Sequence, residues 1–318
     1  MKLNPKGLIS APHTPMHSDG AINPGAIAGQ AQWLVRSGVT GAFVNGTTGE
    51  WSSLTTDERI RLQAAWAAVD QPLLRIAHVG HLCQQDAVAL AQHAGQVGLE
   101  AVAAVAPSFL KPGSAQALAE FFAPIAAAAP GLPFYVYHIP GLSGVTLPPW
   151  EQIEACAARI ATFAGIKFTD PDLFAYARCV KQFGDRFDLM WGVDEILMGA
   201  LGYGATSAVG STYNYAAPLY LDMMRAHRRG DAERAQHQAQ RAVQLVELLL
   251  EFGVLAAGKA LMKLRGVDCG PVRLPVETLS DQRQQALFDR VQEAGLLDPV
   301  AEILVSEPPA PRRAATTS

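Results

Sequence analysis

The sequence predicts an α/β fold, a (β/α)8 TIM barrel with a C-terminal helical extension. Three observations carry this. Eight short apolar runs recur along the first two thirds of the chain, helical segments separate most of them, and the last third carries helices without strands. The strand-like runs are residues 8–11, 41–44, 73–79, 101–106, 134–139, 163–168, 187–193 and 206–209. Between them, apolar residues fall at helical spacing in segments such as 25–37, 57–69, 84–97, 115–128 and 173–183. Eight strands with intervening helices match a barrel, whose typical length is ~250 residues. A doubly wound open sheet needs fewer strands.

Residues 1–222 therefore read as the barrel and 223–300 as the helical extension. Within the extension, 223–252 is helical but interrupted at Arg229-Gly230-Asp231, where Gly230 serves as C-cap and Asp231 as N-cap. Two further helices are expected near 257–264 and 281–294. The segment 301–318 ends in a Pro/Ala-rich, apolar-poor stretch and reads as a disordered tail.

Composition narrows the function. The chain has 318 residues, 49% of them hydrophobic and 17% charged, with a formal net charge of −4. That describes a soluble globular protein with a full core. No Lys/Arg-rich run appears, which argues against a nucleic-acid partner. The apolar stretch after Met1 is too short for a signal peptide. The Ala-rich run 121–129 holds Pro124 and is too short to span a bilayer, so no membrane partner is expected. Cys83, Cys156, Cys179 and Cys269 lie far apart without metal-type spacing, which fits a reduced, cytoplasmic compartment.

In a barrel of this kind the active site forms where strands end and loops begin. The unusual polar residues sit at five such ends. Lys167 lies at the end of the run 163–168. Burial there lowers a lysine pKa, and a neutral amine can attack a ketone to form a Schiff base. A lysine reaching solvent, or pairing with Asp170, is the alternative. Tyr137 occupies the equivalent place on the preceding strand. Gly46-Thr47-Thr48-Gly49-Glu50 offers backbone N–H groups and hydroxyls to a carboxylate or phosphate, or is an ordinary turn in which a threonine caps the next helix. Asp194 reads as the N-cap of a helix over 195–201, and the pair Asp194-Glu195 suits a hydroxylated, uncharged group. Thr169 and Ser211 offer further polar contacts, or cap local backbone. His78 and His81 read as loop residues after strand 3 rather than metal ligands. His138 follows Tyr137, so it points to the opposite face as a packing residue.

Taken in order, Gly46-Thr47-Thr48-Gly49-Glu50, Tyr137-His138-Ile139-Pro140-Gly141-Leu142-Ser143-Gly144-Val145, Gly165-Ile166-Lys167-Phe168-Thr169-Asp170, Gly192-Val193-Asp194-Glu195 and Gly210-Ser211-Thr212-Tyr213-Asn214 resemble the pyruvate-dependent class I aldolase family that includes dihydrodipicolinate synthase and N-acetylneuraminate lyase. The resemblance covers about residues 5–298. It implies that Lys167 is the Schiff-base residue and Tyr137 the general acid/base. Thr47 completes the catalytic set and, with Thr48, holds the substrate carboxylate. Thr169, Gly192, Asp194, Glu195 and Ser211 are the implied contacts to the rest of the substrate. No metal and no cofactor is implied, and relatives are commonly homotetramers.

Within the family, the synthase branch usually carries an arginine two residues past the proline that follows the tyrosine. Here that position is Leu142, which cannot clamp a carboxylate. The segment 134–140 is close to that of animal-type sialic acid lyases. The implied substrates are therefore a 2-keto sugar acid, N-acetylneuraminate, and pyruvate. Some relatives place a tyrosine in the loop after strand 4; residues 107–112 contain none. Other readings are an aldolase for 2-keto-3-deoxygluconate, a synthase-like condensing enzyme, and a catalytically silent pyruvate or sialic acid sensor.

Overall fold

A computed structural model describes residues 2–298. Eight parallel strands, β1 (Gly7–Ser10), β2 (Gly41–Val44), β3 (Leu74–His78), β4 (Ala101–Val105), β5 (Phe134–His138), β6 (Phe163–Phe168), β7 (Asp188–Trp191) and β8 (Ser207–Gly210), close into one barrel in sequence order. The helices are α1 (Ile27–Arg36), α2 (Thr56–Ala67), α3 (Gln84–Gln96), α4 (Ala115–Ala127), the single turn α5 (Pro140–Ser143), α6 (Pro149–Arg159), α7 (Leu173–Phe183), α8 (Leu197–Gly202), α9 (Tyr213–Arg229), α10 (Ala232–Phe252), α11 (Val254–Lys263) and α12 (Asp281–Glu293). The expected barrel and the C-terminal helices are both present. The tail expected at 301–318 lies outside the described residues.

Strand alternation divides the core. Inward-facing Ile9, Phe43, Ile76, Ala103, Tyr135, Tyr137, Met190 and Val209 fill the barrel interior. Outward-facing residues pack the helices: Ala42 and Val44 join Leu34 and Leu62 in one cluster, and Val102, Val136 and Ile166 join Leu90, Phe122 and Ile153 in another. Polar caps start several helices where an apolar stripe begins. Thr55 and Glu58 form a reciprocal capping box on α2, while Ser114, Asp172 and Ser280 accept from backbone N–H groups of α4, α7 and α12. The interruption between α9 and α10 is as the sequence indicates: Gly230 adopts a left-handed φ of 74°, and the Asp231 side chain accepts from Arg234 N.

The barrel floor is closed by the N-terminal segment. The Asp188 carboxylate, at the start of β7, accepts from Tyr135 Oη at 2.8 Å and from the backbone N–H of Leu3 at 2.9 Å and Asn4 at 3.2 Å. The opposite end stays polar and carries the loops that matter for chemistry. The C-terminal helices reach this end as well, since Arg273, past α11, pairs with Glu58 of α2. No helix among the described residues is long and apolar enough to cross a membrane.

Candidate active site

β5 and β6 are neighbours, and their register sets Tyr137 directly beside Lys167. Both point inward: Tyr137 lies two residues along β5 from interior Tyr135, and Lys167 stands between the outward-facing Ile166 and Phe168 of β6. The Lys167 Nζ sits between two aromatic faces, 3.9 Å from the ring centre of Tyr137 and 4.1 Å from that of Phe43 on β2. Aromatic faces solvate an ammonium less well than water does. Burial accordingly pulls the Lys167 pKa from 10.5 down to about 7, against the opposing pull of the Asp194 carboxylate. A large fraction of this lysine is a neutral amine at neutral pH.

The Tyr137 hydroxyl lies 3.2 Å from Thr47 Oγ1. Burial pushes the phenol up to about 12, and the Thr47 contact holds it back. The resting phenol therefore keeps its proton at neutral pH. Its ring is braced edge-on by Phe43 at 5.3 Å and His78 at 5.6 Å.

Thr47 and Thr48 occupy the loop between β2 and α2, and neither caps a helix. A single 3-10 turn at Trp51–Ser53 intervenes, and α2 is capped by Thr55. Asn45 and Glu50 bound the loop, both with a left-handed φ of 58°. The Asn45 side chain donates to Arg59 O at 3.0 Å, and Thr14 Oγ1 donates to Gly49 O at 2.7 Å. Both bonds hold the loop from below. Thr47 is half-buried and Thr48 buried.

Asp194 is not a helix cap. It opens a 3-10 turn, Asp194–Ile196, that has no side-chain cap bond. Its carboxylate reaches instead across to the start of α9, accepting from Thr212 N at 2.9 Å and Thr212 Oγ1 at 2.6 Å. Gly210 makes room for this crossing, because a Cβ there would stand 1.8 Å from Asp194 Oδ1. Burial raises the Asp194 carboxyl, and the Thr212 bonds and Lys167 oppose the rise. Asp194 Oδ1 and Thr169 Oγ1 are buried without a hydrogen-bond partner among the described residues. Gly192 packs against Thr169, whose Oγ1 would lie 2.1 Å from an added Cβ. Glu195 is half-buried, its carboxyl raised by burial and then by the Asp194 charge. Ser211 is half-buried just past β8.

The structure thus joins Lys167 to Tyr137 and Tyr137 to Thr47, with Asp194 near enough to act on Lys167. It sets Gly192 against Thr169. Glu195 and Ser211 stand in the adjoining loops, and Thr48 beside Thr47. His138 faces outward as expected, 3.0 Å from Gln152 and 3.6 Å from Asp170. His78 departs from expectation. It ends β3 with its ring buried in the barrel, where Nδ1 lies 2.8 Å from Asn45 O. The sequence reading assigned no site role to Phe43, to His78, which reads as a loop residue, or to Thr212, which stands only within a motif. Phe43 alone had a local signal, an inward position two residues before the threonine loop. Among the described residues, no group of three or more His, Cys, Asp or Glu side chains could hold a metal ion.

A closed parallel barrel that aims a low-pKa lysine into its mouth, beside a hydrogen-bonded phenol, is a barrel equipped for imine chemistry. The chain belongs to the dihydrodipicolinate synthetase family, whose sequence profile matches residues 4–294. It is 43% identical over 283 residues to the N-acetylneuraminate lyase of Pongo abelii, a match covering 86% of this chain and 88% of that protein. Among solved structures it is similar to the N-acetylneuraminate lyase of Aliivibrio salmonicida, with a TM-score of 0.90 and 40% identity over 94% of this chain and 99% of that one. It is also similar to the Proteus mirabilis N-acetylneuraminate lyase, with a TM-score of 0.89 and 37% identity over 92% and 99% of the two chains.

Proposed function

We propose that this protein is a Schiff-base aldolase that cleaves N-acetylneuraminate reversibly to N-acetylmannosamine and pyruvate. The observation that carries the reading is the Lys167 amine held between Phe43 and Tyr137, with the Tyr137 hydroxyl 3.2 Å from Thr47.

The neutral Lys167 amine attacks the C2 ketone of the open-chain sugar acid. Tyr137 gives its proton to the departing hydroxyl, so water leaves and a protonated imine remains. The Tyr137 phenolate, steadied by Thr47, then takes the proton of the C4 hydroxyl. The C3–C4 electron pair moves into the imine, releasing N-acetylmannosamine and leaving an enamine. Protonation at C3 and hydrolysis return pyruvate and free Lys167. Thr47 and Thr48 hold the substrate carboxylate throughout. The free Asp194 Oδ1 and Thr169 Oγ1, together with Glu195, Ser211 and the Gly192 backbone, take the hydroxylated tail. Leu142 is 67% exposed at the position where the synthase branch carries arginine, so it offers no clamp for a second carboxylate. The reading carries with it a homotetrameric assembly, by resemblance, and a cytoplasmic location, which suits four cysteines that are all free.

The test has two parts. Incubation with pyruvate and borohydride, followed by mass spectrometry, should place the adduct on Lys167. Side-by-side turnover should favour N-acetylneuraminate over 2-keto-3-deoxygluconate. An adduct on Lys259 or Lys263, or none, overturns the mechanism; turnover of the shorter acid alone overturns the substrate.

A further inference from the structure

We propose that the buried ion pair of Glu50 and Lys259 is a positioning device that sets the Thr47–Thr48 loop, which makes α11 part of the substrate-binding machinery. The proposal rests on the aldolase reading above, in which that loop holds the substrate carboxylate.

Glu50 Oε1 and Lys259 Nζ are 2.7 Å apart, and both side chains are only 2% exposed. Such a pair is a poor source of stability. Desolvating two charges costs about what their attraction returns, and an apolar pair of similar volume is often as stable or more so. What a buried pair does supply is a fixed geometry, because moving either partner leaves the other charge unpaired in a low dielectric. The surroundings tighten that constraint. The second carboxylate oxygen of Glu50 accepts from Arg273 N at 2.8 Å, and Lys259 Nζ donates to Pro271 O at 2.5 Å. Arg273 also seals the outer side, donating to Ser53 O at 2.7 Å and pairing with Glu58. Toward the barrel, His13 is buried and lies against Gly258, where a Cβ would come within 2.6 Å of its ring. Burial, and then Lys259, hold His13 down to about 3, so it stays neutral and does not compete for Glu50.

The pair is coupled to the site by backbone. Glu50 N donates to Thr47 O at 2.9 Å, so Glu50 closes the tight turn that begins with Thr47. Glu50 holds a left-handed φ of 58°, a conformation that a glutamate keeps only where its surroundings enforce it. Thr47 in turn sets the Tyr137 hydroxyl. A shift of Glu50 is therefore a shift of the carboxylate site and of the proton donor together.

The experiment is the pyruvate dependence of borohydride trapping at Lys167 in the full-length protein, measured well below each variant's melting temperature. Glu50→Gln keeps the shape of the side chain and removes the charge. Lys259→Met removes the other partner. Each should raise the half-saturating pyruvate concentration roughly tenfold or more, since small misplacements of binding groups cost up to ~10²-fold. Glu100→Gln is the control. It breaks an ion pair with Arg75 at the opposite end of the barrel and should lower the melting temperature while leaving half-saturation unchanged. Wild-type half-saturation in both Glu50→Gln and Lys259→Met overturns the proposal, whatever their melting temperatures. If Lys259→Met does not fold, Glu50→Gln decides alone. A wild-type protein that gives no adduct at Lys167 overturns the aldolase reading instead, so the two failures are told apart.

Discussion

Lys167 is held against its own solvation, and its removal should stabilise the fold. Burial lowers its pKa from 10.5 to about 7. A difference of that size corresponds to about 5 kcal/mol between the two protonation states. The sign follows from proton counting. Between pH 7 and pH 10.5 the unfolded chain keeps the proton on this lysine while the folded chain has given it up. The unfolded state thus binds more protons, and stability rises with pH across that window. Below pH 7 the whole penalty is present. Lys167→Met replaces the amine by a chain of similar volume with no charge to desolvate. One offset works against the gain: Asp194 loses a nearby cation, although its bonds to Thr212 remain. The expected net gain is about 1–3 kcal/mol at pH 7, shrinking toward zero near pH 10, with turnover abolished. Urea melts of both proteins at pH 7, 8.5 and 10 read this directly, because titrating groups common to the two proteins largely cancel in the difference. A variant no more stable than wild type at pH 7 refutes the reasoning, as does a gap that stays flat with pH.

Two further outcomes test the division of labour in the mouth. Tyr137→Phe should lower kcat by roughly 10²–10⁴-fold while borohydride trapping of pyruvate at Lys167 still occurs, only more slowly; near-normal turnover would make Tyr137 a packing residue. Glu195→Gln should lower the ratio of kcat/KM for N-acetylneuraminate to that for 2-keto-3-deoxygluconate by about ten- to a hundredfold, the value of a buried hydrogen bond to a charged group, and an unchanged ratio would remove Glu195 from tail recognition.

The barrel was legible because its strands announce themselves locally. β2 and β6 match the sequence reading at both ends, as short apolar runs bounded by loops. β1 and β8 each begin and end one residue away from it, since a strand end is set by the neighbouring strand, which sequence does not display. Helix α6 was absent from the segments read as helical. Its buried face is Pro149, Gln152, Ile153 and Cys156, and three of those four are not large aliphatic residues, so the apolar period is faint. The side-by-side placement of Tyr137 and Lys167 was readable from equivalent strand ends. The Phe43 face on the amine was not, because its strand lies far along the chain.

Where a residue had two local readings, a distant partner decided between them. Asp194 before a helical stretch has the sequence signature of a cap, yet two bonds from Thr212, eighteen residues on, draw its carboxylate across to the start of α9. Those bonds lie in a buried site, where a hydrogen bond is stronger than at a cap exposed to water. The same logic separates the two buried lysines. Lys259 has a carboxylate at 2.7 Å and a carbonyl at 2.5 Å, so its positive charge is matched on the spot, and Glu50 works against the lowering that burial imposes. Lys167 faces two aromatic rings, and the acid that acts on it is shared with Thr212. Equal burial therefore meets two different settings: a lysine held in an ion pair on α11, and a lysine held against aromatic faces on β6. The apolar run around Lys167 points to burial, but only the distant partners, a carboxylate for Lys259 and aromatic faces for Lys167, separate the two lysines, and that contrast supports the nucleophile role proposed for Lys167.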